Sequence, residues 1–410
     1  MRIAVANSNR RMVGGAETYL GTVIPALVEA GNEIGLVYEV DTREDRDLID
    51  VPGGGPVWCL EEQGTALLND LRSWKPDVIF AQALDNPAFG TAIVETCKGV
   101  FYVHDYYGSC ISGAKTHSFP SVRPCNKRFG PACLAHFYPR RCGGLNPILA
   151  WKLYLLQRQR LAMLRNYSVI ATASDHMRRE FINHGFDRTR VRTVSSLISN
   201  QVQEQAPTDS ELAAIARIKF NTARVSLLFA GRMVPLKGGE LLLDALPIAA
   251  EKLRKPVDLI FAGDGPARSA WAAYAERLQR RSTQIHVEFR GWSSNEELAA
   301  LAAGTHLVMM PSLWPEPFGR SGLEIGRWGV PSVAFAVGGI PEWLDEGVTG
   351  HLAPGYPATA SGLAEGIVRA LFDADHYAKL CIEARKRAGA FSVERHIACL
   401  SQLFNEVAGT

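Results

Sequence analysis

Two glutamates stand eight positions apart in Pro311-Ser312-Leu313-Trp314-Pro315-Glu316-Pro317-Phe318-Gly319-Arg320-Ser321-Gly322-Leu323-Glu324. Prolines on both sides hold Glu316 in a shaped loop. A helix is predicted to start near Phe318, with Glu324 about one and a half turns into it. The amides at that helix start then lie between the two carboxylates. One carboxylate can grip sugar hydroxyls and the other a ribose, with an anionic linkage against the helix N-terminus between them. A bland pair of surface glutamates is the alternative.

A second loop, Gly231-Arg232-Met233-Val234-Pro235-Leu236-Lys237-Gly238-Gly239, follows an apolar strand at 226–230 and feeds a helix. Arg232 offers a planar fork and Lys237 a mobile point charge, a combination suited to clamping a pyrophosphate. Two solvated charges near a turn would look the same. The first strand is followed by Arg11-Met12-Val13-Gly14-Gly15-Ala16-Glu17. Gly14 and Gly15 let backbone amides approach a phosphate or sugar closely, just before a helix N-terminus. A tight turn without a ligand is the competing reading. The G-x-G-x-x-G spacing is absent, so a nicotinamide cofactor is unsupported.

These loops need elements to hold them. Short apolar strand patterns at 2–6, 33–38, 78–81, 100–104, 169–172 and 191–194 alternate with helical patterns at 16–30, 64–72 and 147–166. A second series of strands, 226–230, 258–262, 287–290, 307–311 and 332–336, alternates with helices at 239–253, 268–280, 296–303, 319–329 and 341–346. Strand–helix alternation implies parallel sheets with helices on both faces, hence two doubly wound α/β domains. The boundary is expected within 195–222, where the chain turns polar and loses both periodicities. Ligands of such domains sit at the carboxyl ends of the strands, so two facing domains place a joint site in a cleft.

Length supports two domains, since single cores stop growing near ~250–300 residues and the chain has 410. With 47% hydrophobic and 21% charged residues it is too apolar for a disordered chain. A net charge of +2 is too balanced for a dedicated nucleic-acid binder. The balance conceals an asymmetry: from Tyr106 to Ser174 no residue is acidic, while Lys115, Arg123, Lys127, Arg128, Arg140, Arg141, Lys152, Arg158, Arg160 and Arg165 are basic. Such a one-signed stretch attracts anionic partners, among them phosphorylated lipids, nucleotides or a membrane surface. The N-terminus turns polar too early for a signal peptide, and no run of ~18 uncharged apolar residues occurs. A cytoplasmic location is expected, with peripheral contact to the inner face of a membrane as a hypothesis.

Taken jointly, these motifs resemble glycosyltransferase family four, retaining enzymes that use sugar nucleotides and share the two-domain GT-B fold. Gly14-Gly15-Ala16-Glu17 is similar to the family's amino-terminal glycine loop and Val103-His104-Asp105 to its strand-end His motif. Arg232 with Lys237-Gly238 resembles its diphosphate clamp, and Glu316 through Glu324 its E-x7-E pattern. Ala262-Gly263-Asp264-Gly265-Pro266 and Val337-Gly338-Gly339-Ile340-Pro341-Glu342 match further signatures. The resemblance implies an acceptor domain at 1–205 with a basic insert at about 106–146, a donor domain at 206–390, and a C-terminal helix at 391–410 crossing back to the first domain. It implies Glu324 on the ribose, Arg232 and Lys237 on the diphosphate, and Glu316 with Phe318, Gly319 and Gly263 around the donor. Gly14 and Gly15 would lie close to the phosphates, and Glu17 and His104 would face the acceptor. Glu316, His104, Arg232 and Lys237 would carry catalysis. Retention is then explained by same-face attack, with a phosphate oxygen helping to deprotonate the acceptor.

The metal-dependent transferases of the other main fold use an Asp-x-Asp pair. Asp45-Arg46-Asp47 and Asp373-Ala374-Asp375 fit that string but read as solvated charges, and no catalytic metal is expected. Of eight cysteines, Cys110, Cys125, Cys133 and Cys142 cluster in the acid-free segment without a Cys-x-x-Cys spacing. A structural zinc, a disulfide staple and four independent thiols all remain open. The 146–161 stretch is leucine-rich, aromatic and basic; it either packs on a sheet or lies on an anionic membrane.

The expected function is a hexosyltransferase-type retaining glycosyltransferase moving a sugar from a nucleotide-diphosphate donor to a glycan or polyprenyl-linked glycan in surface polysaccharide or glycolipid synthesis. An epimerase or hydrolase of the same fold, or a non-catalytic subunit of a glycan assembly complex, is the alternative. No cofactor beyond a structural zinc, and no nucleic-acid partner, enters this reading.

Overall fold

The structure, a computed structural model, describes residues 1–42, 46–198 and 207–409. Asp45 and the polar stretch 199–206, which contains the expected boundary at 205/206, lie outside the described residues. The chain divides into two units. One comprises Met1–Ser121, Cys125–Ser199 and Ser392–Thr410; the other comprises Val122–Pro124 and Asn200–Phe391.

The first unit is built on a parallel sheet of β1 (Arg2–Asn9), β2 (Glu33–Val40), β3 (Val57–Cys59), β4 (Val78–Gln82), β5 (Gly99–Val103), β8 (Val169–Thr172) and β9 (Val191–Thr193). Their order is β3-β2-β1-β4-β5-β8-β9. The two-residue strands β6 (Thr116–His117) and β7 (Arg123–Pro124) lie outside this sheet. Every residue of β4 and β5 is buried. That is why both read as continuous apolar runs, since a parallel sheet is covered on both faces. The covering helices are α1 (Gly15–Glu29), α2 (Leu60–Gln63), α3 (Leu67–Trp74), α4 (Pro87–Val94), α5 (Ala132–Phe137), α6 (Pro147–Leu164) and α7 (Asp175–Asn183). Asn86 and Asn146 cap α4 and α6, each with proline at the next position, where the missing N–H costs nothing.

In the second unit the parallel order is β12-β11-β10-β13-β14-β15. These strands are β10 (Val225–Ala230), β11 (Val257–Ala262), β12 (Ile285–Gly291), β13 (Leu307–Met310), β14 (Ser332–Phe335) and β15 (Gly350–Ala353). Its helices are α8 (Asp209–Phe220), α9 (Gly239–Leu253), α10 (Arg268–Arg281), α11 (Asn295–Gly304), α12 (Arg320–Gly326), α13 (Ala360–Ala370) and α14 (Ala374–Gly389). Capping boxes at Thr208/Glu211 and Ser294/Glu297 start α8 and α11. The last helix, α15 (Val393–Ala408), belongs to the first unit, where it packs on α1, β4 and β5. Its buried face is His396, Ile397, Leu400, Leu403, Phe404 and Val407, with Phe404 set 5.2 Å from Phe80.

Two of the helices expected in the second unit differ from the sequence reading. The expected helix at 319–329 is only the seven residues of α12: Gly319, at φ +83, is its N-cap, and the chain leaves the helix after Gly326 through a turn that ends at Gly329, φ +72. The short α12 also carries less dipole than a helix of several turns. The expected helix at 341–346 is a single 3-10 turn, Ile340–Glu342. No described helix is long and apolar enough to cross a membrane.

Candidate functional site

In the second unit β10, β11 and β12 run outward one way and β13, β14 and β15 the other, so the order reverses between β10 and β13. A reversal of this kind leaves a crevice at the strand carboxyl ends. The loops that follow these two strands carry Arg232, Lys237 and Glu316. They are joined by Leu313 N–H donating to the Leu236 carbonyl at 2.8 Å. Gly238, at φ +71, makes this approach feasible: a Cβ there would lie 1.8 Å from the Pro311 oxygen.

Glu316 is only 4% exposed. Its Oε1 accepts from Lys237 Nζ at 2.6 Å and from the Ser312 hydroxyl at 2.5 Å. The Lys237 ammonium also stands 5.7 Å from the Trp314 ring centroid. The cation is therefore held from two sides while a quarter of its side chain, 25%, remains exposed. Arg232 is exposed in the same loop and forms no ion pair among the described residues. The sequence reading missed Ser312 and Trp314; only their closeness to Glu316 in a Pro-bounded loop could have pointed to them.

The remaining donor-side positions fall differently. Glu324 is half-buried on α12 and pairs with Arg320 at 2.8 Å, a partner one turn earlier that the sequence reading passed over. Phe318 is a core residue whose ring lies 5.4 Å from Phe391 and whose carbonyl accepts from Trp343 Nε1 at 2.8 Å. Gly263, expected among the donor contacts, follows β11, and a Cβ there would lie 2.0 Å from the Gly231 oxygen. Its glycine is required where the loops after β10 and β11 touch.

The first unit repeats the topological device, its order reversing between β1 and β4. Gly14 and Gly15 follow β1, and a Cβ built on Gly15 would meet nothing within 4 Å. Glu17, expected to face an acceptor, is buried and accepts from Asn7 Nδ2 at 3.1 Å. Its first role is thus to tie the start of α1 to the end of β1. His104 follows β5 and is joined through Nε2 to Gln82 Oε1 at 2.6 Å. Gln82 is fully buried and its amide nitrogen donates to the Ala16 carbonyl at 3.1 Å. One amide therefore fixes the imidazole and the glycine loop together.

A second imidazole braces this arrangement from α15. His396 Nδ1 lies 2.7 Å from the Ser195 carbonyl, so it donates there and leaves Nε2 to accept from the Tyr19 hydroxyl at 2.7 Å. The Tyr19 ring in turn packs edge-on to His104 with centroids 5.0 Å apart. At the end of β2, Glu39 is buried and accepts the Asp85 and Asn86 N–H groups, each at 2.9 Å. Burial pushes its carboxyl up to about 6, against the lowering effect of those two amides.

All eight cysteines are free thiols, which overturns the disulfide alternative for the insert. Burial raises the thiols of Cys125, Cys133 and Cys142, and neighbouring thiols of the group raise them further. Cys110 Sγ accepts the Lys115 N–H at 3.3 Å, and Cys142 Sγ lies 3.5 Å from His117 Nδ1. Among the described residues no three His, Cys, Asp or Glu side chains stand together to hold a metal ion. The insert instead packs around Ile111, Phe137, Ala150 and Tyr154, with Cys133 and Cys142 against them. Asp373 caps α14 and Asp375 pairs with Arg217 at 2.8 Å, so that Asp-x-Asp string has structural employment.

Two family models match the chain: Glycosyltransferase Family 4 over residues 13–199 and Glycosyl transferases group 1 over residues 213–387. The D-inositol 3-phosphate glycosyltransferase of Mycobacterium bovis is 32% identical over 237 residues, 57% of this chain and 45% of that protein. The chain thus spans about half the length of the curated relatives it matches. Anabaena HepE, solved in complex with UDP, aligns over 99% of this chain and 100% of its own with TM-score 0.68 and 19% identity. Sucrose-phosphate synthase from Thermosynechococcus elongatus aligns over 99% and 98% with TM-score 0.66 and 18% identity. These structural likenesses concern the fold, two Rossmann-like parallel sheets of GT-B type. With one matched model on each unit and the E-x7-E and glycine-loop positions at the strand ends where that fold binds ligands, the chain belongs to glycosyltransferase family 4.

Proposed function

We propose that the protein is a retaining glycosyltransferase that moves a sugar from a nucleoside-diphosphate donor to a glycan or lipid-linked glycan acceptor in surface polysaccharide or glycolipid synthesis. The observation that carries this reading is the Lys237–Glu316 pair at the switch point of the second sheet. A diphosphate beside Lys237 meets a cation already fixed in place, so little reorganisation is needed as charge develops on the leaving group. Arg232 supplies a second cation from the same loop, in the role a metal plays elsewhere. Glu316, buried beside Lys237, accepts from hydroxyls of the transferred sugar, and Glu324 holds the ribose once it exchanges Arg320 for the ligand.

In the first unit, His104 and the backbone of Gly14 and Gly15 address the acceptor sugar and the phosphates. The bond from the anomeric carbon to the donor phosphate oxygen breaks, and the acceptor oxygen bonds to the same carbon on the same face. The acceptor proton passes to the departing phosphate oxygen. HepE is named with UDP, which makes UDP-sugars the first donors to try. The test is nucleotide release with a panel of glycans, polyprenyl-linked glycans and polyol phosphates. Release that requires an acceptor supports transfer; equal release without one, or sugar isomerisation alone, contradicts it.

A further inference from the structure

The start of α6 presents apolar side chains that the rest of the molecule leaves uncovered. Leu145 is 74% exposed, Ile148 65%, Trp151 52% and Leu149 43%. Elsewhere among the described residues, exposed large apolar side chains are isolated along the sequence apart from Ile215 and Ile218. Scattered ones need no explanation, but four within seven positions form a patch.

The patch is rigidly mounted. Asn146 caps the first turn of α6, and Ala150 and Tyr154 anchor the opposite face in the core around Ile111 and Phe137. Gln157 Oε1 accepts the Gly108 N–H at 2.8 Å. Trp151 lies against Tyr154 with ring centroids 5.9 Å apart. These contacts fix the helix start while its outer face carries the apolar groups.

Cations border it. Arg140, Arg141 and Lys152 are exposed, and the Arg141 guanidinium stands 5.1 Å from the ring centroid of Phe119, itself 48% exposed. The Phe119 N–H donates to the Arg140 carbonyl at 3.1 Å, which joins that ring to the patch. No acidic residue occurs from 106 to 174. Glu180 and Asp85, which reach this segment from other elements, pair with Lys115 and Arg160, and Arg140, Arg141 and Lys152 form no ion pair among the described residues.

We propose that Phe119, Arg140, Arg141 and the turn from Leu145 to Lys152 form a docking surface for an anionic lipid bilayer. Leu145, Ile148 and Trp151 enter the interface while Arg140, Arg141 and Lys152 meet lipid phosphates. Tryptophan and aliphatic groups beside arginines suit the boundary between headgroups and acyl chains. An acidic surface is the complement of this charge, and a bilayer supplies both the charge and the apolar medium.

Flotation of the full chain with vesicles tests this. Binding is expected to phosphatidylcholine vesicles containing one-third phosphatidylglycerol, to weaken as salt is raised, and to be slight with phosphatidylcholine alone. Ile148→Ser with Trp151→Ser should lower the bound fraction at least about tenfold. Arg140→Gln and Arg141→Gln should lower it about fivefold per charge removed. Because these side chains are exposed, the melting temperature of each variant serves as a fold control. Failure of the wild type to float with phosphatidylglycerol, as expected if a protein covers this face, overturns the proposal. Variants that float like the wild type overturn it as well. Binding requires no sugar donor, so either failure leaves the transfer reaction standing.

Discussion

Lys237 reaches the Glu316 carboxylate at 2.6 Å although 79 residues separate them. Parallel pairing of β10 with β13 brings their following loops together, and Gly238 lets the backbones touch. The pair is therefore a product of topology as much as of the two side chains. It sets a fixed cation beside a buried carboxylate at the carboxyl ends of β10 and β13.

Replacing Lys237 with methionine should lower turnover by ~10² or more. It should also destabilise the second unit by about 2–3 kcal/mol, less than for a fully buried pair because Lys237 keeps solvent access. Adding Glu316→Gln removes the unpaired carboxylate, so stability should return while turnover does not. Steady-state rates and urea denaturation of the two variants check this; wild-type turnover in Lys237→Met would take Lys237 out of the reaction.

Gln82→Leu removes both arms of the amide that joins His104 to the start of α1. The expected result is a fall in kcat of about tenfold or more, donor affinity within about twofold of wild type, and a stability loss of about 1–3 kcal/mol. A purely structural role would lower stability and leave kcat per folded molecule unchanged. Titration of donor by calorimetry beside steady-state kinetics separates the two.

Glu324→Ala should weaken nucleotide-sugar binding by about tenfold or more if its carboxylate holds ribose hydroxyls, since hydrogen bonds to a charged group contribute about 1.5–3 kcal/mol. Arg320→Ala frees the same carboxylate from its i,i+4 partner and should leave donor affinity equal or better. Equal losses in both variants would assign the pair to the stability of α12 instead.

The chemistry-bearing loops were legible in the sequence because their spacing is local: Glu316 to Glu324, Arg232 to Lys237, Gly14 to Glu17. Val169–Thr172 and Gly239–Leu253 fall where their patterns placed them, since each is bounded by polar or glycine punctuation. Gln82 was not legible, because its bond to His104 arises only once β4 lies beside β5. The Tyr19–His396 contact spans 377 residues and needs α15 to dock on α1, which no local pattern encodes. The lengths of α12 and of the turn at Ile340 differ from the apolar pattern because left-handed Gly319 and the turn ending at Gly329 bound the first, and the second stops at Glu342.

Burial raises the Glu39 carboxyl to about 6 in the folded chain, above the ordinary glutamate value of 4.5. A raised acid favours its protonated form in the folded state, so its effect on stability is least unfavourable below about 4.5. The penalty grows as pH rises and is complete above about 6, amounting to about 2 kcal/mol at most. Glu39→Gln should therefore gain stability relative to wild type between pH 4.5 and pH 8. Denaturation at those two values checks it, and a difference that stays constant would contradict the assignment.

Burial and neighbouring thiols push Cys142 up to about 11. At pH 8 little of it is thiolate, so iodoacetamide should label it far more slowly in the folded chain than after denaturation. The exposed Cys399 serves as the internal reference for accessible thiol. Labelling of Cys142 at the Cys399 rate would show that the insert opens in solution.

On the proposed function, the loops after β10 and β13 together with α12 bind a nucleoside-diphosphate sugar through Lys237, Arg232 and Glu324. Thermal unfolding with UDP-, GDP- and ADP-sugars tests it most directly. At a hundredfold excess over Kd, one of them should stabilise the wild type by about 2.7 kcal/mol, or roughly 5–10 °C for a unit of this size, and the shift should shrink in Lys237→Met and Glu324→Ala. No shift with any of the three, or an equal shift in all proteins, would contradict the account.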